Sequence, residues 1–293
     1  MKTWIAESFA KINLGLRVLE RLPTGYHRIE TGLCFIDWRD RFHLQVADEW
    51  SLTMTDATIP TDKRNLISQA YTYFERYIGL KSSYRVHVDK QIPAGAGLGG
   101  GSSNAATLLR MLNHIEETGL SADELVDLSR PLGSDIAFFL RAEPAIASGL
   151  GQEMTPLPIQ PEEHWILTVF PGFESSTAEA YQLCQPRIDP DFSLRGVLEE
   201  EPVSEWRYLL ENDLEPPVIG RYEMVGHIRD QLYELGADYA SMTGSGSAVF
   251  ALFDQDFVAM SAYNTFRDLD FRASLTQPGF QPDHNIYFKE DTK

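Results

Sequence analysis

Five of the seven residues from 95 to 101 are glycine (Gly95, Gly97, Gly99, Gly100 and Gly101), and this segment stands between a strand pattern and a helix pattern. Before it, Tyr84, Val86 and Val88 alternate with Arg85, His87 and Asp89, the period of two of a half-buried strand. After it, Ala105, Leu108, Leu109, Leu112 and Ile115 recur at helical spacing. A turn needs one or two glycines, so this density requires that something approach the backbone closely. Glycine tolerates positive φ, which lets successive N–H groups converge on one point, and the following helix adds its positive N-terminal dipole. Such a loop suits phosphate. The plain alternative is a turn kept bare for dense packing.

Gly95, Gly97 and Gly100 satisfy G-x-G-x-x-G, which raises a dinucleotide-binding unit, and Glu116 and Glu117 stand near the spacing expected of its acidic residue. No second buried strand separates the two helices there, so that reading is weak. A Walker loop requires G-K-[ST], and here Gly101 is followed directly by Ser102. A phosphate loop without its own lysine needs a cation from elsewhere. Lys11 lies where Ile12, Leu14, Leu16 and Val18 alternate with Lys11, Asn13, Gly15 and Arg17, so Lys11 and Asn13 share one face of a strand; by itself Lys11 reads as a solvated strand lysine rather than as the loop's cation. Asp135, after Gly133 and Ser134 and before the apolar run Ile136 to Leu140, is by itself helix N-cap chemistry.

The rest of the chain reads as α+β in two layers. Strands are expected at Gly32 to Trp38, Phe42 to Val46, Trp165 to Phe170, Ala237 to Met242 and Ala248 to Phe253. A helix is expected from about Asn65 to Tyr77, and Ser121 with Glu124 has the capping-box spacing of a short one that Pro131 and Gly133 interrupt. A further helix should carry Met224, Ile228, Leu232 and Leu235 on one face and end at Gly236. Pro186 to Pro217 reads as irregular and acidic. Pro156, Pro158 and Pro161 mark a composition shift, which places a boundary near 155 between domains 1–155 and 156–293, the last strand being free to return to the first.

The chain has 293 residues, 43% of them apolar, ample for packed cores. Its net charge of −18 makes nucleic acid and anionic membrane poor partners. Cys34 and Cys184 read as two free thiols in a reducing cytoplasm, and no segment reads as a membrane span. The seven histidines show no metal-ligand spacing, so protein ligands for a metal are not legible. A monomer or weak homodimer is expected.

Ala10-Lys11-Ile12-Asn13, Pro93 to Asn104, and Met242-Thr243-Gly244-Ser245-Gly246 followed by a strand are similar, in order and spacing, to the three motifs of the GHMP small-molecule kinases. Pro23-Thr24-Gly25-Tyr26-His27 with Thr31, the triple glycine before Ser102-Ser103-Asn104, and Leu132-Gly133-Ser134-Asp135 resemble the branch that phosphorylates 4-diphosphocytidyl-2-C-methyl-D-erythritol in the non-mevalonate isoprenoid pathway. The likeness spans about residues 6 to 253 and thins after Pro186. Phe9, Thr24, Ala94, Ala96 and Ala137 depart from the family pattern, and of these only Thr24 replaces a charged group.

The resemblance implies two domains, each a two-layer sandwich, with the site in the cleft between them. It implies ATP as co-substrate with Mg²⁺, and transfer of the γ-phosphate to the 2-hydroxyl of a cytidine-diphosphate-linked methylerythritol. Lys11 and Asp135 are the implied catalytic pair. Asn65 and the run Pro93, Ala94, Gly95, Ala96, Gly97, Leu98, Gly99, Gly100, Gly101, Ser102, Ser103 and Asn104 are implied at ATP. Asn13, Tyr26, His27, Thr177, Tyr181, Gly244 and Ser245 are implied at the acceptor, with Tyr26 and Tyr181 sandwiching the cytosine and His27 reading its edge. A kinase of the same superfamily acting on homoserine, mevalonate or a sugar, and a silent nucleotide-binding protein of the same fold, are the alternatives.

Overall fold

The strand that carries Lys11 is covered on both faces, not one. The computed structural model describes residues 2–157, 161, 163–189 and 191–290. In chain order the elements are β1 (Lys2–Arg21), β2 (His27–Ala47), β3 (Ser51–Met54), α1 (Leu66–Ile78), β4 (Ser83–Asp89), α2 (Gly100–Ile115), α3 (Ala122–Ser129), a 3-10 turn (Arg130–Leu132), α4 (Ile136–Arg141), β5 (Ala145–Gly149) and β6 (Glu153–Pro156). The second half contributes β7 (Trp165–Phe170), α5 (Thr177–Leu183), α6 (Leu194–Glu200), α7 (Val203–Leu209), α8 (Glu215–Arg221), α9 (Glu223–Glu234), β8 (Tyr239–Met242), β9 (Val249–Phe253), α10 (Asp256–Asp268), β10 (Arg272–Thr276) and β11 (Tyr287–Glu290). Pro158 lies outside the described residues.

The first sheet runs β11-β1-β2-β4-β3, with β5 on β2 and β6 on β5; the second runs β10-β7-β9-β8. The first sheet takes β1 to β6 in chain order and then the last strand, β11, which returns to pair antiparallel with the start of β1. Alternation within β7 and β9 sends Ile166, Phe250 and Leu252 toward the first sheet and Leu167, Val169, Val249 and Ala251 toward α8, α9 and α10. The middle core therefore joins Ile12, Cys34 and Ile36 of the first sheet to Phe250 and Leu252 of the second, with Leu194, Leu198 and Trp206 filling in from α6 and α7. A large-to-small change at Phe250 there should cost about 3–5 kcal/mol.

Three expectations change. The segments Gly32 to Trp38 and Phe42 to Val46 are parts of one strand, β2, because Arg39, Asp40 and Arg41 stay paired with Phe9, Ser8 and Glu7 of β1 across a register shift at Phe9/Ala10. The region after Pro186 is not irregular: α6, α7 and α8 are seven-residue helices that bury Leu194, Leu198, Trp206 and Val218, and of their acidic residues Glu215 is buried as well while Glu200 and Glu205 face solvent. The apolar face of α9 is Val225, Ile228 and Leu232, with Met224 turned to solvent. Among the described residues no helix is long and apolar enough to cross a membrane.

Candidate active site

Lys11 pairs with Phe35 across β1 and β2, and Asn13 with Leu33, so both polar residues point to the face that carries α2 and α4. Lys11 is 4% exposed, which removes the solvated-lysine reading. Its Nζ donates to Asn13 Oδ1 and, at 2.7 Å, to the Gly97 carbonyl. An ammonium has three N–H donors, so one remains for a ligand. Burial lowers the Lys11 pKa, and the Asp135 carboxylate opposes that shift. Asn13 is itself fixed: its Nδ2 donates to Thr31 Oγ1 at 3.0 Å, and Thr243 Oγ1 both accepts from Asn13 N and donates to Asn13 Oδ1. The amide expected to meet an acceptor is thus spent on orienting Lys11.

The glycine loop and the turn between β8 and β9 are built against each other. Ala248 N donates to the Ala96 carbonyl, and a β-carbon on Gly246 would lie 2.0 Å from Gly97 N. A β-carbon on Gly99 would meet the Phe139 ring at 2.8 Å and Lys11 Cε at 3.2 Å, and one on Gly100 would meet Ile92 at 2.9 Å. The packing alternative therefore accounts for part of the glycine density. The phosphate reading keeps its own support: α2 starts after Gly99 (φ +69°) with no side-chain cap, which leaves the first-turn N–H groups of a 16-residue helix open toward the loop.

A cavity of about 1900 Å³ gathers Lys11, Asn13, Tyr26, His27, Gly97, Gly99, Ser102, Asp135, Thr177, Tyr181, Gly244 and Ser245. That exceeds the roughly 300–1,000 Å³ of a single small-molecule pocket and suits two substrates. Asp135 precedes α4 but makes no capping hydrogen bond, so the bland N-cap role fails and its carboxylate is left for the cavity. Ser245 and Thr177 join their hydroxyls at 2.7 Å.

Other expected ATP residues have side chains turned into the protein. Ser103 Oγ donates to the Phe9 carbonyl at 2.6 Å, and Asn104 bonds Ser8, Asp40 and Lys90. Ala96 and Leu98 are buried, and Leu98 O accepts from Lys11 N. Asn65 caps α1 by accepting from Ile67 N and donates to Pro60 O. Pro93, Ala94, Gly95, Gly100 and Gly101 also stand outside the cavity lining, and Glu174 lies against Gly95. Of this run, Gly97, Gly99 and Ser102 line the cavity, and Ser102 brings it a hydroxyl.

The ring arrangement also differs from expectation. His27, not Tyr26, stacks on Tyr181, with centroids 5.1 Å apart and planes 26° apart, and Tyr26 is 68% exposed at the rim. Desolvation and Arg21 lower the His27 pKa, which keeps the ring neutral with one donor and one acceptor nitrogen. Burial and the nearby Asp135 push the Tyr181 hydroxyl up to about 12.

Sequence reasoning missed the clamp behind the third motif. Asn212 Nδ2 donates to both Met242 O and Gly244 O at 2.8 Å, and Glu215 Oε2 accepts from Met242 N at 2.7 Å while its other oxygen pairs with Arg229. The legible signal was Asn212-Asp213-Leu214-Glu215, a polar run just before a proline pair, hidden by the acidic composition around it.

Residues 65–143 match the family profile described as GHMP kinases N terminal domain, and residues 198–268 match GHMP kinases C terminal. A relative from Chlorobium limicola named 4-diphosphocytidyl-2-C-methyl-D-erythritol kinase is 39% identical over 281 residues, covering 94% of this chain and 96% of its own. One of the same name from Bacteroides thetaiotaomicron is 38% identical over 254 residues, covering 84% and 91%. A crystal structure of 4-(cytidine 5'-diphospho)-2C-methyl-D-erythritol kinase superposes with a TM-score of 0.79 at 30% identity, covering 93% of this chain and 98% of that one. A homoserine kinase from Cytophaga hutchinsonii superposes with a TM-score of 0.72 at 14% identity, covering 98% and 97%, a likeness of fold.

Proposed function

The chain belongs to the GHMP kinases, in the branch that transfers the ATP γ-phosphate to the 2-hydroxyl of 4-diphosphocytidyl-2-C-methyl-D-erythritol in the non-mevalonate isoprenoid pathway, and on that premise we propose how its residues carry the reaction. Asp135 accepts the proton of the acceptor hydroxyl as its oxygen attacks the γ-phosphorus and the bond to the β,γ-bridging oxygen breaks, releasing ADP. Lys11 directs its third N–H at the charge spreading over the transferred group. The open N–H groups of Gly99 to Ser102 at the start of α2 hold the polyphosphate. His27, Tyr181 and Tyr26 take the cytosine, stacking contributing about 1–3 kcal/mol per base.

The observation that carries this reading is the meeting of the Lys11 amine, the uncapped carboxylate of Asp135 and the open end of α2 in one cavity. Mg²⁺ accompanies ATP. Among the described residues no cluster of three His, Cys, Asp or Glu side chains could hold a metal ion, and Ser102 is the cavity hydroxyl that would meet a cation bound to the phosphates. The ion would neutralise phosphate charge as the transition state forms. Cys34 and Cys184 are free and buried, which supports the reducing cytoplasm as the compartment.

ATP consumption by the purified protein should be far greater with the cytidine-linked acceptor than with homoserine, mevalonate, galactose or free methylerythritol, and Tyr26→Ala should erode the preference. Removing the cytidine should lower turnover as well as affinity, because remote binding energy holds the hydroxyl in place. Better turnover of homoserine or mevalonate would leave only the superfamily; no turnover with any of them would favour a silent binding protein.

A further inference from the structure

Arg110 projects from the third turn of α2, and its Nη1 donates at 2.6 Å to the carbonyl of Phe139 near the C-terminal end of α4. Desolvation pulls the guanidinium down to about 10, with no carboxylate among the described residues to offset it. A cation withdrawn from water without a counter-charge is costly, and the favourable partner it has here is the negative end of a helix. We propose that Arg110 is a positioning residue for phosphoryl transfer: by pinning the far end of α4 it sets where Asp135, at the near end, meets the acceptor hydroxyl.

The need for such a pin follows from α4 itself. Six residues are too few for a helix to hold its own register. Its first backbone bond, Phe139 N to Asp135 O, is long at 3.4 Å, and Asp135 has no capping bond to restrain it. The helix must take its position from outside. Phe138 stacks on Phe35 at 4.5 Å, and Ile136, Phe139 and Leu140 are buried with it, contacts that fix depth but carry no direction along the helix. Arg141 pairs with Asp123 at an exposed site, where ion pairs constrain little. The bond from Arg110 is directional and part-buried, so it can fix the position of α4 along its axis.

Its second consequence is coupling. The ring of Phe139 lies against Gly99, where a β-carbon would meet it at 2.8 Å and Lys11 Cε at 3.2 Å. One helix, α2, therefore offers its N-terminus to the phosphoryl donor and, through Arg110, holds the segment that carries the base.

The proposal rests on the general-base reading of Asp135, and the experiment separates the two. Arg110→Met should lower kcat on the order of 10–100-fold, as sub-ångström to ångström misplacement of a reacting group does, with KM for ATP and acceptor changed less than about threefold. Arg110→Lys should recover most of the rate. In an Asp135→Asn background Arg110→Met should lower turnover little further, because the group it positions is gone. Should Arg110→Met not fold, Arg110→Gln, which keeps a neutral donor, should give an intermediate kcat by the same measure. Unchanged kcat in the folded variants, a loss confined to KM for ATP, or the same factor lost in both backgrounds would overturn the proposal alone. Near-normal turnover of Asp135→Asn itself would remove the general-base reading and this proposal with it.

Discussion

Gly97 and Gly246 face each other so closely that a β-carbon on Gly97 would stand 3.0 Å from Gly246 Cα and 2.1 Å from the Thr243 carbonyl. Two of the three sequence motifs are therefore one structural unit, and the oxygen of Gly97 that receives Lys11 is held from behind by the third motif.

Gly246→Ala would place a methyl 2.0 Å from the backbone of Ala96 and Gly97, atoms that can retreat only by breaking the Ala248 N to Ala96 O bond. We expect a loss of about 2–4 kcal/mol in denaturant unfolding, together with weaker ATP binding. Gly220→Ala, in α8 with nothing within 4 Å of the added carbon, should be neutral or stabilising by up to about 1 kcal/mol. Equal stabilities for the two variants would contradict the interlocked reading.

Asp135→Asn keeps size and shape but cannot take a proton. Turnover should fall by about 10²–10⁴ while nucleotide affinity stays near normal. Steady-state rates measured beside ATP titrations decide it, and a variant that turns over normally would make Asp135 a bystander.

Lys11→Met should separate activity from stability. Burial lowers the Lys11 pKa below 10.5, so between the lowered value and 10.5 the unfolded chain binds more protons and stability rises with pH; at neutral pH the buried charge works against folding. The variant should therefore unfold at a denaturant concentration no lower than the parent at pH 7, while turnover drops by several kcal/mol of lost transition-state stabilisation. The parent's rate should also fall on the alkaline side below the usual lysine range. A variant that is less stable yet fully active would return Lys11 to a structural role.

His284 gives the acid side. Both ring nitrogens are buried without a partner, and the ring packs on Phe9 and Phe35. Desolvation, with the Arg110 charge, holds its pKa down at about 4. Between about 6.5 and about 4 the unfolded chain takes up a proton that the folded one refuses, so stability should decline as pH falls through that window. His284→Leu should flatten the decline in urea midpoints taken at pH 7 and pH 4.5; an unchanged slope would show that carboxylates alone govern it.

What was legible in the sequence was local. The glycine run announced the loop, Ser121 with Glu124 gives the capping box of α3, and Gly236 ends α9 at a left-handed position. The period of two in β1 placed Lys11 and Asn13 together, but not the burial of their face, since the glycine loop, α4 and the Thr243 turn contribute the cover and leave no mark on the strand itself. Ser103, Asn104 and Asn65 show the complementary limit. A polar side chain in a binding motif reads as a ligand contact until its partner is known, and Phe9 O, Asp40 and Ile67 N are partners that only folding brings near. The bond between Asn13 and Thr243 spans 230 residues, beyond any pattern read along the chain.

Interlocking of Gly97 with Gly246 also fixes a sequence of events during synthesis. About 150 residues separate the two, so at about 5–20 residues per second on the order of 7–30 s pass between their appearances. In that interval the nascent chain carries a phosphate loop with no wall behind it and a lysine whose acceptor carbonyl is unsupported. The lysine site is therefore complete only after the Thr243 to Gly246 turn has been made and has closed on Gly97.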